Sequence, residues 1–343
     1  MKKSKKTELR ILFACGIFIL VGALAVLIHY SYTPINPYGN KDEMVIVDIP
    51  TGSSFVKVTE ILNKVGLIKS RYLFYYLALT KRAFRSIQAG EYEFSVAMTP
   101  GEVLDKLVNG DVKHYRTVIP EDLTIKEIAE ILIKDRLIVK ETFLALAHDR
   151  NFLNTLGIKA NSIEGYLFPN TYYFDHSMST RQIIKIMHSE FLKRVTPEME
   201  KRAKGLGLVD LNQFVTFASI VGKESGNQPE KKTISAVFHN RLKMRMPLQS
   251  DPTAVYDLED FSGKIRRSHL KRKSPYNTYV VRGLPPGPIA NPGIDSLNAA
   301  LDPEQVNYLY FVSKKDGTHY FSASLDMHNQ AAKQYRDIKY KKQ

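Results

Sequence analysis

Glu224 is the side chain whose type and place could do acid–base chemistry. The segment Leu211 to Lys223 repeats apolar residues at Leu211, Phe214, Val215, Ala218, Ile220 and Val221, the spacing of a helix. Gly226, Asn227 and Pro229 then end it. Glu224 follows Ile220 by four positions and Val221 by three, so it shares their face rather than the solvent face. It also falls in the last turn, where the negative end of the helix dipole disfavours an anion. Both effects favour the protonated carboxyl that a general acid needs near neutral pH. The plainer reading is a last-turn glutamate that extends into solvent beside Lys223, and the helix alone does not choose between them.

Three other segments carry polar and aromatic groups suited to a sugar groove. Glu164-Gly165-Tyr166-Leu167-Phe168-Pro169-Asn170-Thr171-Tyr172-Tyr173 is an aromatic loop with one acid. Leu248-Gln249-Ser250-Asp251-Pro252-Thr253 is a polar turn after a long helix expected over Lys231 to Met244. Tyr276-Asn277-Thr278-Tyr279 leads into the run Gly283-Leu284-Pro285-Pro286-Gly287-Pro288-Ile289-Ala290-Asn291-Pro292-Gly293. Aromatic faces stack on sugar rings, amides and carboxylates bond hydroxyls, and proline fixes loop shape at low entropic cost. Each segment taken singly also reads as ordinary core or turn.

Other chemistries lack their groups. The single cysteine, Cys15, excludes a disulfide framework and a Cys-based zinc site, and a thiolate in its apolar surroundings would be a poor nucleophile. The nine histidines form neither H-E-x-x-H nor H-x-H, so no metal is expected. Ser54-Phe55-Val56-Lys57 and Ser268-His269-Leu270-Lys271 match S-x-x-K, but no K-T-G accompanies them, and the abundance of lysine accounts for both. G-x-S-x-G, a P-loop and G-x-G-x-x-G are missing as well. Carboxylate chemistry without a cofactor remains.

The elements that must carry these residues begin with a membrane signal. Lys2, Lys3, Lys5, Lys6 and Arg10 against Glu8 precede eighteen uncharged residues, Ile11 to Ile28, closed by His29, Tyr30 and Tyr32. At about 1.5 Å per residue that run spans roughly 27 Å, close to the hydrocarbon of a bilayer. Basic residues before it place the N-terminus in the cytoplasm, and tyrosines suit the far interface. A cleaved signal peptide is the alternative, with Ala23-Leu24-Ala25 as its site, but cleavage there would cut inside the apolar run. The expected organisation is a basic cytoplasmic tail (1–10), a transmembrane anchor (11–30), a linker (31–43) containing Pro34, Pro37 and Gly39, and an exported remainder. An exported domain meets lipid head groups and acidic wall polymers, so the net charge of +14 does not point to nucleic acid. The densest patch, Lys264 to Lys273, reads as a solvated loop, with polymer docking the lesser alternative.

The exported part opens with a duplication. Ile49, Pro50, Glu60, Ile61, Leu62, Lys64, Leu67 and Ile68 recur without a gap as Ile119, Pro120, Glu130, Ile131, Leu132, Lys134, Leu137 and Ile138, and Ser54 aligns with Thr124. Each copy predicts a short strand ending at proline, a Ser or Thr N-cap, an amphipathic helix and a second helix, Arg71 to Thr80 or Glu141 to His148. Gly90 to Phe94 reads as a strand, and Met98-Thr99-Pro100-Gly101-Glu102 opens a helix ending near Gly110. Strand–helix–helix–strand units of this size resemble LysM modules, which bind N-acetylglucosamine-containing glycans; the first copy fits better, and a spacer role is equally open. Near the C-terminus, Tyr308 to Val312 and Thr318 to Phe321 flank Asp316-Gly317, a hairpin signal. A last helix is expected over Ser324 to Ile338, with a fraying basic tail, Lys339 to Gln343. Helices dominate over short antiparallel sheets, so the fold class is α+β.

Taken in order, these segments resemble one family. Glu164-Gly165-Tyr166-Leu167-Phe168-Pro169, Ala218-Ser219-Ile220-Val221-Gly222-Lys223-Glu224, Asn240-Arg241-Leu242, Leu248 to Thr253, Tyr276 to Tyr279 and Gly283 to Ile289 together look like an endolytic murein transglycosylase of the YceG-like (MltG) family. The resemblance covers essentially the whole chain and implies a LysM-like subdomain at 44–116 and a mostly helical catalytic domain at 117–343. It implies Glu224 as the catalytic acid/base, and Glu164, Tyr166, Gln249, Asp251, Tyr276, Asn277, Thr278, Tyr279 and Pro286 as groove lining. A familiar version of the helix has an acid where this chain has Gly222, which leaves the Lys223-Glu224 pair intact. The implied reaction cleaves the bond between N-acetylmuramic acid and N-acetylglucosamine with the sugar's own C6 hydroxyl as nucleophile. One carboxylate suffices for that, whereas a hydrolase needs two. Glu164 and Asp251 are then positioning or electrostatic groups, with a second catalytic carboxylate as the mechanistic rival. The implied partners are peptidoglycan strands and penicillin-binding synthases of elongation or division. The implied location is the inner membrane, single-pass, with the catalytic domain outside. A non-catalytic, membrane-tethered scaffold that binds peptidoglycan is the alternative function.

Overall fold

The computed structural model describes residues 2–36, 40, 42–225, 228–259, 261 and 263–341. Pro37, Gly39, Gly226 and Asn227, named above as linker or helix-ending residues, lie outside the described residues. The chain divides into two compact units, one of Met1–Tyr115 with Tyr173–Met178, the other of Arg116–Tyr172 with Ser179–Gln343.

In the first unit, α1 (Lys2–Tyr32) contains the apolar stretch Arg10–Tyr32, 23 residues of mean hydropathy 3.0, long and apolar enough to cross a membrane. There follow β1 (Met44–Ile49), α2 (Phe55–Lys64), α3 (Arg71–Thr80), β2 (Gly90–Ser95) and α4 (Pro100–Asn109). β1 and β2 pair antiparallel from Met44 opposite Ser95 to Ile49 opposite Gly90. Helices α2 and α3 close over one face of this ribbon because Val58, Leu62, Phe74 and Leu77 share a buried stripe with Tyr92, Phe94, Leu104 and Leu107. Gly110 ends α4 in the left-handed conformation that glycine adopts without strain.

The second unit opens within β3 (Tyr115–Val118), from Arg116, and continues through α5 (Ile125–Lys134), α6 (Lys140–His148), α7 (Arg150–Thr155) and the first half of β4 (Thr171–Phe174), β3 pairing with β4. The duplication is visible in the caps. Ser54 accepts from the Lys57 N–H before α2, and Thr124 accepts from the Glu127 N–H before α5. In the first copy the strand after the two helices pairs with the one before them, whereas in the second α7 intervenes. Helices α8 (Thr180–Arg194), α9 (Pro197–Gly205), α10 (Leu211–Glu224), α11 (Lys231–Lys243), α12 (Arg267–Leu270) and α13 (Ile294–Leu301) follow. The hairpin β5 (Tyr310–Ser313) and β6 (His319–Ser322) and helix α14 (Leu325–Lys341) end the chain. α14 runs to Lys341, three residues beyond the expected Ile338, and the last two residues of the tail lie outside the described residues.

α10 is the axis of this unit. Phe214 through Gly222 are all buried, and α13 and α11 pack along it. Ser219 Oγ accepts the Ile289 N–H at 3.1 Å, which fixes the proline-rich run against the helix. Gly165 must be glycine: its φ is +87°, and a Cβ there would meet Pro288 at 2.6 Å and Val215 at 2.7 Å.

Candidate active site

Glu224 is the last residue of α10, as the periodicity predicts, and it is partly buried. Ser250 Oγ donates to its Oε1 at 2.6 Å. Burial pushes the carboxyl up to about 7; the neighbouring Asp251 charge adds to the rise, while Ser250, the Asp251 backbone N–H and Arg241 oppose it. A carboxyl that is half protonated near neutral pH, and still reachable from solvent, is the state in which a general acid works.

The turn that delivers Ser250 is built from buried polar groups. Gln249 sits at φ +52°, a left-handed conformation, held by its N–H to the Thr278 carbonyl at 3.1 Å. Ser250 N–H donates to Thr278 Oγ1 at 3.0 Å, and Thr278 N–H donates to Thr253 Oγ1 at 3.2 Å. From α11, Arg241 donates to the carbonyls of Leu248 (2.7 Å), Pro247 (3.2 Å) and Leu309 (2.7 Å), and to Gln249 Oε1 at 3.3 Å. Its five fixed donors suit a site where several carbonyls converge. Asp251, exposed, accepts from Tyr279 O–H at 2.5 Å, and burial, with this bond second, pushes the phenol up and holds it protonated. Glu224, Gln249, Ser250, Asp251 and Tyr279 therefore form one polar surface at the end of α10.

The remaining sequence-selected residues divide differently. Glu164 is 2% exposed and surrounded by donors. The Ile125 N–H at the start of α5 lies 3.1 Å from both its oxygens; Tyr256 O–H is at 3.0 Å and Asn291 Nδ2 at 2.8 Å. Burial pushes it to about 7 as well, but its oxygens are spent on the interior. Asn277, fully buried, donates to the carbonyls of His269, Leu270 and Arg272 and shapes the loop beneath Tyr279. Thr278 is likewise fully buried. Tyr166, 2% exposed, donates to Asn212 Oδ1 at 3.4 Å near the start of α10, more than three turns from Glu224. The exposed Pro286 accepts through its carbonyl from Asn212 Nδ2 at 3.0 Å, and the Tyr276 hydroxyl lies against Gly287. Tyr166, Tyr276 and Pro286 thus belong to the N-terminal half of α10.

Several working residues carry no local sequence signal. Asn291 accepts from the N–H groups of Gly165 and Leu167, both at 3.0 Å, and donates to Leu123 O and Glu164, joining three distant segments. Asp122 is the least expected. It has φ +61°, and its carboxyl lies against Gly222, where a Cβ would stand 1.8 Å from Oδ1. The space where a familiar form of the helix has an acid is filled here by a carboxylate from another segment. Burial pushes Asp122 up to about 6. The basic run forms α12 and its flanks, where Arg272 pairs with Asp257. Among the described residues no group of three or more His, Cys, Asp or Glu could hold a metal ion.

A glutamic acid raised towards neutrality at the end of a buried helix, in a mixed helical unit with short antiparallel sheets, is a carboxyl suited to acid–base chemistry. The YceG-like family model matches residues 47–334, and the chain belongs to that family. It is 34% identical over 318 residues to an endolytic murein transglycosylase of Bacillus subtilis (strain 168), covering 87% of this chain and 86% of that one. It is 29% identical over 333 residues to an endolytic murein transglycosylase of Streptococcus pneumoniae serotype 2, of whose length it spans 59%. A crystal structure of a yceG-like protein, lmo1499 from Listeria monocytogenes, matches with a TM-score of 0.58 and 33% identity over 84% of this chain and 99% of that one.

Proposed function

We propose that this chain is an endolytic murein transglycosylase that cuts the β-1,4 bond between N-acetylmuramic acid and N-acetylglucosamine inside glycan strands, with Glu224 as the acid and then the base. The observation that carries the reading is the partly exposed Glu224 carboxyl, raised to about 7 and held by Ser250. Glu224 gives its proton to the bridging oxygen as the bond to C1 breaks. The C6 hydroxyl of the same muramic residue bonds to C1, and its proton returns to the Glu224 carboxylate. The products are a free 4-hydroxyl and a 1,6-anhydro end, no water is consumed, and the enzyme is restored. The attack is intramolecular, so positioning replaces a second carboxylate. The internal saturation of Glu164 supports assigning it to the scaffold. Asp251 and Tyr279 border the acid and serve substrate positioning, and the Asp251 charge helps to keep Glu224 protonated.

The membrane and domain assignments belong to the same reading. α1 anchors the chain with its N-terminus in the cytoplasm; residues 44–116 form a LysM-like unit, supported by its strand–helix–helix–strand order; and residues 117–343 form the catalytic domain. Synthases of wall elongation or division are the expected partners, because a cutter of nascent strands must work beside the enzymes that make them.

Purified wild-type protein on isolated sacculi should release fragments with anhydro ends by mass spectrometry, and Glu224→Gln should abolish them. Reducing ends would mean hydrolysis. Normal cleavage by Glu224→Gln would remove that residue from the acid role, and binding without release by the wild type would indicate a scaffold.

A further inference from the structure

Helix α3 breaks the pattern of a soluble surface helix. Its sequence, RYLFYYLALT, has one charged residue and is apolar or aromatic on every side. Phe74, Leu77 and Ala78 face the core of the first unit. The opposite face carries Tyr72 (78% exposed), Tyr76 (56%) and Leu79 (51%), at the i, i+4, i+7 spacing of one stripe, with Tyr75 (46%) beside it. A helix apolar all round is ordinarily enclosed by protein or by lipid, and a stripe of this kind marks an interaction surface.

The structure also fixes where this stripe begins. Leu27 and Tyr30 of α1 pack against the first unit's core, and Tyr30 O–H donates at 3.1 Å to the carbonyl of Ser70, the N-cap of α3. Ser31, the next residue of α1, packs against Gly101 of α4. The uncharged run of α1 ends at Ile28, so Ser70 and the first turn of α3 stand at the level where α1 leaves the hydrocarbon. Exposed Lys69 and Arg71 precede the stripe, and Lys81, Arg82 and Arg85 follow it; of these, Lys81 pairs with Asp105 at 2.6 Å and Arg71 with Glu60 at 3.9 Å. Tyrosine between an apolar core and flanking cations is the composition of a membrane–water interface.

We infer that the outer face of α3 rests on the outer leaflet of the membrane that α1 spans, with Tyr72, Tyr76 and Leu79 in the interfacial zone and Lys69, Arg82 and Arg85 at lipid phosphates. The inference rests on the anchor reading of α1 and goes beyond it: the first unit is laid on the bilayer through a second contact rather than hanging from a single helix. Such a contact would hold the first unit at a fixed depth, which suits an enzyme acting on strands still attached to the membrane.

The chain has no tryptophan, so one introduced residue reports alone. Phe18→Trp, Tyr72→Trp and Leu79→Trp, each in the full chain, are reconstituted into phosphatidylglycerol–phosphatidylethanolamine vesicles. The vesicle lipids are brominated either deep or high on their acyl chains. Trp fluorescence at 18 should be quenched by the deep label. At 72 and 79 it should lose roughly half or more to the shallow label and be shielded from aqueous iodide. Quenching at 18 without quenching at 79 overturns the inference and leaves the anchor intact. Failure at all three positions removes the anchor reading and the inference together. Shielding at 79 that arises only on adding peptidoglycan assigns the stripe to glycan and also overturns it.

Discussion

Substituting Gly222 by alanine should destabilise the second unit, and the sign of the effect should reverse when Asp122 is glycine. The new Cβ would stand 1.8 Å from Asp122 Oδ1 and 2.5 Å from its Cγ, inside any van der Waals contact. The aspartate has little freedom to yield: its N–H donates to the Asn291 carbonyl at 2.9 Å, and its own carbonyl accepts the Lys223 ammonium at 3.0 Å. Overpacking of this kind costs about 1–3 kcal/mol. Helix propensity works the other way, favouring alanine over glycine by about 1 kcal/mol. The net loss in the native background is then up to about 2 kcal/mol, a fall of up to roughly 8 °C in melting temperature for a unit of this size. In an Asp122→Gly background the collision is gone and the propensity gain remains, so Gly222→Ala should raise the melting temperature by a few degrees. Asp122→Gly by itself relieves a left-handed aspartate worth about 1–2 kcal/mol, partly offset by the entropy of glycine. Differential scanning fluorimetry on the four chains, with strand cleavage in parallel, reads the cycle. An equal effect of Gly222→Ala in both backgrounds would show that the two residues are not packed as described, and would refute the reasoning.

The raised Glu224 carboxyl predicts that kcat/KM for strand cleavage falls as pH rises through about 7, because the acid must start protonated. Ser250→Ala removes a donor that favours the carboxylate, so this basic limb should move up by about one unit, read from the pH–rate profile. Glu164, ordinary in the unfolded chain and raised to about 7 when folded, binds its proton more tightly in the native state. Its contribution is full below about 4.5 and is lost as pH rises to about 7, on the order of 3 kcal/mol. Glu224 titrates in the same window and Asp122, raised to about 6, in much of it, so Glu164→Gln should remove roughly a third of that slope in urea unfolding across this range. Arg241→Ala leaves the carbonyls of Leu248, Pro247 and Leu309 without their donor. It should cost more than about 3 kcal/mol and abolish cleavage, whereas Arg241→Lys, which keeps the charge but not the fork, should lose less stability in the same melt.

Helix α10, with Glu224 at its end, was legible residue by residue, because a 3.6-residue repeat and a last-turn position are local properties. The apolar neighbours of Glu224 are its own i−3 and i−4 residues, and they already place it on the buried side. The paired caps at Ser54 and Thr124 were legible for the same reason. The long apolar stretch of α1 was readable from hydropathy and length alone.

Tertiary structure decided what the local pattern leaves open. Glu164 and Glu224 both read as acids near apolar and aromatic residues, and both are raised to about 7, yet only their long-range partners separate them. Glu164 takes donors from Ile125, Tyr256 and Asn291, while Glu224 takes a serine hydroxyl and keeps access to solvent. Asn277 and Thr278 read as groove lining but spend their hydrogen bonds beneath the surface, on loop backbone that no spacing rule predicts. Asp122 and Gly222 are one hundred positions apart, and a carboxyl fitted against a missing side chain has no periodicity at all. The chain alone determined which segments are helical and which carboxyl sits at a helix end, because those follow from neighbours along the backbone. Which groups hold that carboxyl, and which merely hold the fold, required the contacts that folding brings together.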